Sequence, residues 1–450
     1  MMVSSLLRNA LLVLVANLTG VCAYAEQAEF SRDQLVADLD QLHAFILNTH
    51  PDLYRSADAQ ELAVAVEQIR GSLSDRMTLA EAWLAMAQIN PVLKDAHSGI
   101  RRPVAAIDVY REASGRLFPL AVELSDSAQL LIGADSAPPV GAQAGEQIVA
   151  INGIGSEAIV ETLMPRMRGE TARLRRLVLS RHFAAYYWLA FGSAESFEIS
   201  VLGADGIRRL TSGADQVTTT PGSAPFSYRL LDRGAAYLDV RTFEKGRLTE
   251  FAKFLELTFT QIKQHQAQSL IIDLRQNGGG AHELSDELMG YLTASPYSYT
   301  SAVKARVSAE NIARIPGAQL GDIVDVAYRQ TTTPAASEPL RFAGQVYLLI
   351  GPGTYSQAIA FAAAAQDHGV ATLVGQPTEG PANQTGQVQM HVATHTKLQA
   401  MAPLYVFTRA SGQSGSAGLL PEIPITDRPA QPMHSVDALL SHLQPKSAVE

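Results

Sequence analysis

Two glycine-rich turns hold residue types suited to chemistry. Ile271-Ile272-Asp273-Leu274-Arg275-Gln276-Asn277-Gly278-Gly279-Gly280 runs an apolar strand into glycines. Ile350-Gly351-Pro352-Gly353-Thr354-Tyr355-Ser356-Gln357 runs a second apolar strand into a serine at the start of a helix. A strand that opens into a helix leaves backbone N–H groups unpaired above the turn. One turn therefore offers donors, from Gly278 or Gly279. The other offers the Ser356 hydroxyl with the Gln357 N–H beside it. A nucleophile next to an oxyanion site is the raw material of acyl transfer. The competing role for Ser356 is a plain helix cap, which serine often fills. A phosphate loop fits the glycines less well, because neither G-x-x-x-x-G-K-[ST] nor G-x-G-x-x-G is present.

A base is the next requirement. His97 sits in the turn Asp95-Ala96-His97-Ser98-Gly99 after a helical stretch, where the ordinary role is to cap backbone carbonyls. His391 and His395 have the spacing of a helical metal pair but fall in a strand-like segment, where four residues span about 13 Å. They cannot share an ion and read as ordinary strand residues. The only cysteine is Cys22, so thiol and disulfide chemistry play no part if that segment is removed.

The elements that must position these groups follow from periodicity. Ser31 with Gln34 and Thr78 with Glu81 are capping-box pairs, each ahead of apolar residues at helical spacing such as Leu35, Leu39, Leu42 and Ile46. Residues 117–160 change to short strands. A helix is expected over about 172–190, then a hairpin near 197–210. Thr211 to Ser227 is polar and rich in Thr, Gly, Ser and Pro, which marks a boundary in composition. Beyond it strands and helices alternate, which predicts parallel strands joined by helical crossovers. The expected organisation is a signal peptide at 1–25, a helical region at 26–112 carrying His97, a β segment at 113–222, an α/β core at 223–432 and a C-terminal helix and tail at 433–450.

Residues 1–25 read as a secretory leader, with Arg8, an apolar run from Ala10 to Val21 and Ala23-Tyr24-Ala25 as a cleavage site. That places the chain in the periplasm or outside the cell. With 47% hydrophobic residues in 450, the chain can bury two or three ordinary cores. A formal charge of −9 without any basic run argues against nucleic acid as partner. No second apolar stretch is long enough to span a membrane. Composition is silent on oligomeric state.

Four stretches together resemble the carboxyl-terminal processing, or tail-specific, serine peptidases, including the core of the tricorn protease. They are Lys94-Asp95-Ala96-His97-Ser98, then Ala144-Gly145-Glu146-Gln147-Ile148-Val149-Ala150-Ile151-Asn152-Gly153, then Asp273 to Gly280, and finally Gly353-Thr354-Tyr355-Ser356 continuing to Leu373-Val374-Gly375-Gln376-Pro377-Thr378. The resemblance implies an α/β core of the crotonase/Clp-like kind, a PDZ-like segment near Gly145 to Gly153, and a polypeptide substrate with no metal or organic cofactor. It implies Ser356 as nucleophile, with Gly278 or Gly279 and Gln357 at the oxyanion. Some relatives use a lysine about two dozen residues after the serine as base; here that slot falls near Pro381, and no lysine lies between Ser356 and Lys397. The resemblance therefore implies His97 as base. Where the tricorn-like branch has an orienting glutamate, this chain reads Gln413-Ser414-Gly415-Ser416-Ala417-Gly418-Leu419-Leu420-Pro421-Glu422. Glu422 and Glu379 are the candidate acids. The missing acid keeps a second reading open, a non-catalytic peptide- or lipid-binding protein on the same scaffold.

Overall fold

A single parallel sheet carries both glycine-rich turns. The computed structural model describes residues 29–133, 141–203, 206–213, 224–231, 234–326, 331–334, 338–428, 431 and 433–443. Six strands lie in the order Ile423–Pro424, Thr372–Gly375, Gln345–Ile350, Ser269–Asp273, Ala235–Val240, Phe226–Leu231. Every neighbouring pair is parallel except the last. The central strands are buried along nearly their whole length, which is why they read as unbroken apolar runs. Helix Leu248–Gln264 returns the chain between two of them, burying Phe251, Leu255, Phe259 and Ile262 at helical spacing. On the opposite face, Tyr237, Ile271, Tyr347 and Leu349 pack with Val436 and Leu439 of helix His434–His442.

Register brings the two turns together. Ser269 stands opposite Gln345 and Asp273 opposite Leu349 in a parallel pair, so both strands end at the same edge of the sheet. Backbone contacts then stitch the turns. Leu274 N–H donates to Leu349 O at 2.9 Å, Tyr355 N–H donates to Asn277 O at 2.9 Å, and the Thr354 hydroxyl donates to Leu274 O at 2.8 Å. Arg275 pairs with both Asp273 and Asp427, at 2.6 and 2.7 Å, and holds the base of the turn.

A second sheet imports His97. Its long strand Gln399–Arg409 pairs with Thr385–Val392 and Thr300–Arg306, and the two-residue strand Gly99–Ile100 adds to it with Gly99 opposite Met401. Asn90 locks that entry, its amide donating to Ile100 O at 2.9 Å and its Oδ1 accepting from Ile100 N–H at 2.7 Å. Both capping boxes form, ahead of helices Arg32–Thr49 and Leu79–Met86.

The segment after 113 builds a third, antiparallel sheet from Val122–Leu124, Leu130–Ile132, Gln147–Ile151, Ser196–Gly203 and Gly206–Gly213. The single helix expected over 172–190 is two, Ala172–Arg181 and Phe183–Phe191, broken at His182 with φ −126° and ψ 22°. One apolar cluster runs from Leu35 and Trp83 through Ile148, Phe183 and Val201 to Ala400. The expected boundary at 112 is therefore not a break in packing. The leader at 1–25, the heart of the polar stretch at 214–223 and the tail beyond Leu443 lie outside the described residues. Among the described residues no helix is long and apolar enough to cross a membrane.

Gly279 is the tightest point between the turns. Its φ is +96°, and a Cβ there would stand 2.6 Å from Ser356 Cβ and 2.8 Å from both Gln357 N and Tyr355 O. Gly279→Ala is expected to cost about 2 kcal/mol in urea unfolding, from left-handed strain and backbone collision. A variant as stable as the parent would show that the turns do not approach this closely.

Candidate active site

Ser356 occupies a backbone conformation that side-chain-bearing residues rarely adopt, φ 53° and ψ −125°. It stands at the N-terminus of helix Gln357–Asp367, yet its side chain makes no capping hydrogen bond. The sharp turn aims the hydroxyl away from the helix. Ser356 Oγ lies 3.0 Å from His97 Nε2. Its carbonyl is held by Ala360 N–H at 3.1 Å and by the Gln384 amide at 2.9 Å, which fixes the turn from behind.

His97 is buried, and its partners dictate its tautomer. Its Nδ1 lies 3.1 Å from Thr385 Oγ1, while that hydroxyl lies 3.0 and 3.1 Å from the two oxygens of Asp95. A hydroxyl has one proton to donate. The Asp95 carboxylate can only accept, so the Thr385 proton points there and its lone pair faces His97. Nδ1–H therefore donates to Thr385, leaving Nε2 free to accept the Ser356 proton. This is an assignment from the network. The result is a Ser–His–Thr–Asp chain in which a hydroxyl relays the carboxylate's field to the imidazole.

Asp95 is itself fully buried among donors. His97 N–H donates to it at 2.7 Å, and His50 Nε2 lies 3.0 Å away. His50 Nδ1 accepts from Asp52 N–H at 3.0 Å, which puts the His50 proton on Nε2, facing Asp95. Burial alone raises a carboxyl pKa, but the His50 hydrogen bond and the adjacent His50 and His97 imidazoles pull Asp95 down to about 2. It stays ionised. His97 is held below its ordinary value, chiefly by burial, with Arg168 and His50 pushing the same way against Asp95. A neutral imidazole at neutral pH is the form that can take a proton.

The donors sort themselves by what they already bind. Gly279 N–H donates to Asn277 Oδ1 at 2.8 Å, and Asn277 in turn donates to Val240 O at 3.1 Å. Gly279 is thus occupied in shaping the turn. Among the described residues the N–H groups of Gly278 and Gln357 have no acceptor, and they are the pair free to meet an oxyanion.

The two candidate acids go elsewhere. Glu422 accepts the Leu373 N–H at 2.7 Å between neighbouring strand ends. Glu379 accepts the Thr171 hydroxyl at 2.6 Å and lies 3.6 Å from Arg173. Neither has a hydrogen bond to His97 among the described residues. A different carboxyl does approach: Tyr355 OH lies 3.5 Å from His97 Nδ1 and donates to Glu170 Oε1 at 2.7 Å. Burial and the nearby Asp95 charge push Glu170 up to about 8, so it is protonated at neutral pH. It supplies no negative charge to rival Asp95. Asp95 was within the Asp-x-His-Ser signature in the sequence; Thr385, 290 residues away, had no signal beyond lying in a strand. His391 lies in strand Thr385–Val392, its ring 5.3 Å from that of Phe45, and His395 lies past the strand with its N–H on Asp38. Among the described residues no acidic, histidine or cysteine cluster has the makings of a metal site.

A hydroxyl on a strained turn, a neutral imidazole at hydrogen-bond distance and two unclaimed N–H groups form a constellation for nucleophilic attack on a carbonyl. Residues 234–425, which include Gly278, Ser356 and Gln357, match the model of Peptidase family S41. A carboxyl-terminal-processing protease of Picosynechococcus sp. (strain PCC 7002) is 24% identical over 316 residues, covering 67% of this chain. The chain spans 64% of that relative's length. Mature CPAF superposes with TM-score 0.62 at 14% identity, over 91% of this chain and 95% of the other. CPAF complexed with lactacystin gives 0.61 at 13%, over 92% and 97%. At such identities the likeness establishes the mixed α/β fold.

The relay makes a measurable claim about His97. An NMR titration of its imidazole is expected to give a midpoint below the ordinary value near 6.5. In Thr385→Val the imidazolium loses the acceptor of its Nδ1–H, and the midpoint should fall further; Thr385→Ser should restore it. A midpoint unmoved by Thr385→Val would show that the hydroxyl does not couple Asp95 to His97.

Proposed function

We propose that this chain is a serine endopeptidase that hydrolyses polypeptides, working in the periplasm or after secretion as its apolar leader suggests. The observation that carries this reading is the 3.0 Å contact between His97 Nε2 and Ser356 Oγ, with Ser356 doing no capping. Ser356 Oγ attacks the scissile carbonyl as His97 takes its proton. The forming oxyanion is held by the N–H groups of Gly278 and Gln357, the latter at a helix start that favours negative charge. The imidazolium keeps its Nδ1–H on Thr385, which transmits the stabilising charge of Asp95. His97 then protonates the leaving amine, and water releases the acyl group by the reverse steps.

The absence of a glutamate in the expected slot, which favoured a non-catalytic binder, loses its force once Asp95 reaches His97 through Thr385. In this reading residues 113–222 form a PDZ-like unit that presents extended peptide to the core. Gly206–Gly213 ends the order of its sheet and offers an edge for strand addition.

Ser356→Ala is expected to abolish turnover of an unstructured polypeptide and labelling by a fluorophosphonate, while leaving the unfolding transition nearly unchanged because no cap is lost. Undiminished hydrolysis by the purified variant would remove Ser356 as nucleophile. His97→Ala should be nearly as severe, and the double variant little worse than either, since residues acting as a unit lose activity non-additively. Thr385→Val should lower kcat by roughly 10- to 100-fold, the worth of a hydrogen bond to a charged group. Thr385→Ser should recover most of it, which a purely structural role for the γ-methyl would not allow. Because His97 acts unprotonated, activity should fall as pH drops through its pKa. That pKa is depressed, so the acid limb of kcat/KM belongs below the ordinary histidine range.

A further inference from the structure

Positive charge gathers without compensation beside Ser356 in a chain whose formal net charge is −9. Arg181, the last residue of helix Ala172–Arg181, reaches over both glycine-rich turns. A Cβ on Gly278 would meet its Nη1 at 2.8 Å, and one on Gly353 would meet its Nη2 at 3.6 Å. Its hydrogen bond is to a neutral group, Gln276 O at 3.3 Å. Arg168 likewise donates to Ala96 O at 2.8 Å, next to His97. Arg102 stacks 5.9 Å from the centre of the Tyr186 ring. Among the described residues none of these three guanidinium groups has a carboxylate within ion-pair distance.

The groups form one neighbourhood. The His182 ring, next in sequence to Arg181, lies 6.3 Å from that of Tyr186, over which Arg102 sits, and burial followed by the charges of Arg102, Arg181 and Arg168 holds His182 at about 3. Glu170, which accepts from the Tyr355 hydroxyl, is neutral at neutral pH and supplies no charge to pair with them. Arg181 keeps solvent-accessible surface, yet surrounding protein depresses its pKa through desolvation. Arg181 thus lies exposed at the rim of the two glycine-rich turns. Unpaired guanidinium groups in such a place are costly to the fold and present a planar fork suited to a carboxylate.

We propose that Arg181, backed by Arg102 and Arg168, forms an anion subsite next to Ser356 that selects peptides bearing a carboxylate close to the scissile bond. The inference rests on the peptidase reading and deepens it, naming the substrate feature this site prefers. The carboxylate has two possible sources, an Asp or Glu side chain or the free carboxyl terminus of the peptide. Either would lie within one residue of the Gly278 donor, where a bidentate contact to Arg181 also fixes the register of the scissile bond.

Binding to the Ser356→Ala protein, followed by fluorescence anisotropy of labelled peptides, tests this without turnover. One arm compares Asp- or Glu-containing peptides with their Asn or Gln counterparts; the other compares a free carboxyl terminus with its amide. At least one carboxylate form should bind about tenfold tighter than its neutral partner, the worth of a charge-assisted hydrogen bond, and the arm that discriminates identifies the source. Added Arg181→Gln should erase the preference, and Arg181→Lys, which keeps charge but loses the fork, should keep part of it. A salt titration of the Arg181-intact protein should shrink the preference as ionic strength rises, and gives a readout if the Arg181 variants fail to fold. No preference in either arm, or a preference that survives Arg181→Gln, overturns the subsite. Fluorophosphonate labelling of the unmodified chain reports separately on Ser356, so failure of the nucleophile and failure of the subsite are distinguishable.

Discussion

The buried charge of Asp95 is the constraint around which the site assembles. An ionised carboxylate removed from water is strongly unfavourable unless its oxygens are satisfied. Here the donors come from three segments far apart in sequence: His50 behind helix Arg32–Thr49, the His97 backbone in the following turn, and Thr385 at the start of a strand in the second sheet. Asp95 is stable only when all three are in place. The same contacts orient His97, so the cost of burying the charge is met by the geometry that sets His97 against Ser356.

That coupling explains how much of the site could be read from sequence. The Ser356 turn, its sheet and the capping boxes at Ser31 and Thr78 are local, each written within about ten residues, and periodicity and turn chemistry find them. The Asp95 to Thr385 contact is tertiary. A hydroxyl in a strand carries no signal of what it will face. Glu422 and Glu379 lie near the expected slots in sequence alone, and the structure commits each to another partner. The choice between Gly278 and Gly279 was equally beyond sequence, since it turns on whether the Asn277 side chain claims one N–H.

The break at His182 shows a second limit. A continuous apolar and arginine-rich stretch from 172 to 191 reads as one helix, because nothing in it is a strong helix breaker. In the fold, Phe183 and Tyr187 must enter the core with Phe118 and Phe197, whereas Arg181 projects over the glycine-rich turns. One straight helix cannot satisfy both directions. Tertiary packing overrides propensity at the residue where the two demands meet.

Electrostatics then divides the site into two zones. Behind the imidazole, Asp95 is fully charged but capped by donors, and Glu170 is neutral, so the field reaching His97 is that of one carboxylate filtered through one hydroxyl. In front, Arg181, Arg168 and Arg102 meet backbone, thioether and aromatic partners, none of them a carboxylate among the described residues. Arg168 bridges the zones: it donates to Ala96 O and adds its charge to the forces holding His97 unprotonated. His97 is kept neutral chiefly by burial, with the Arg168 charge adding to it, and the proposed anion subsite would draw on that same positive charge. An acidic residue placed to neutralise these arginines would therefore also raise the pKa of His97.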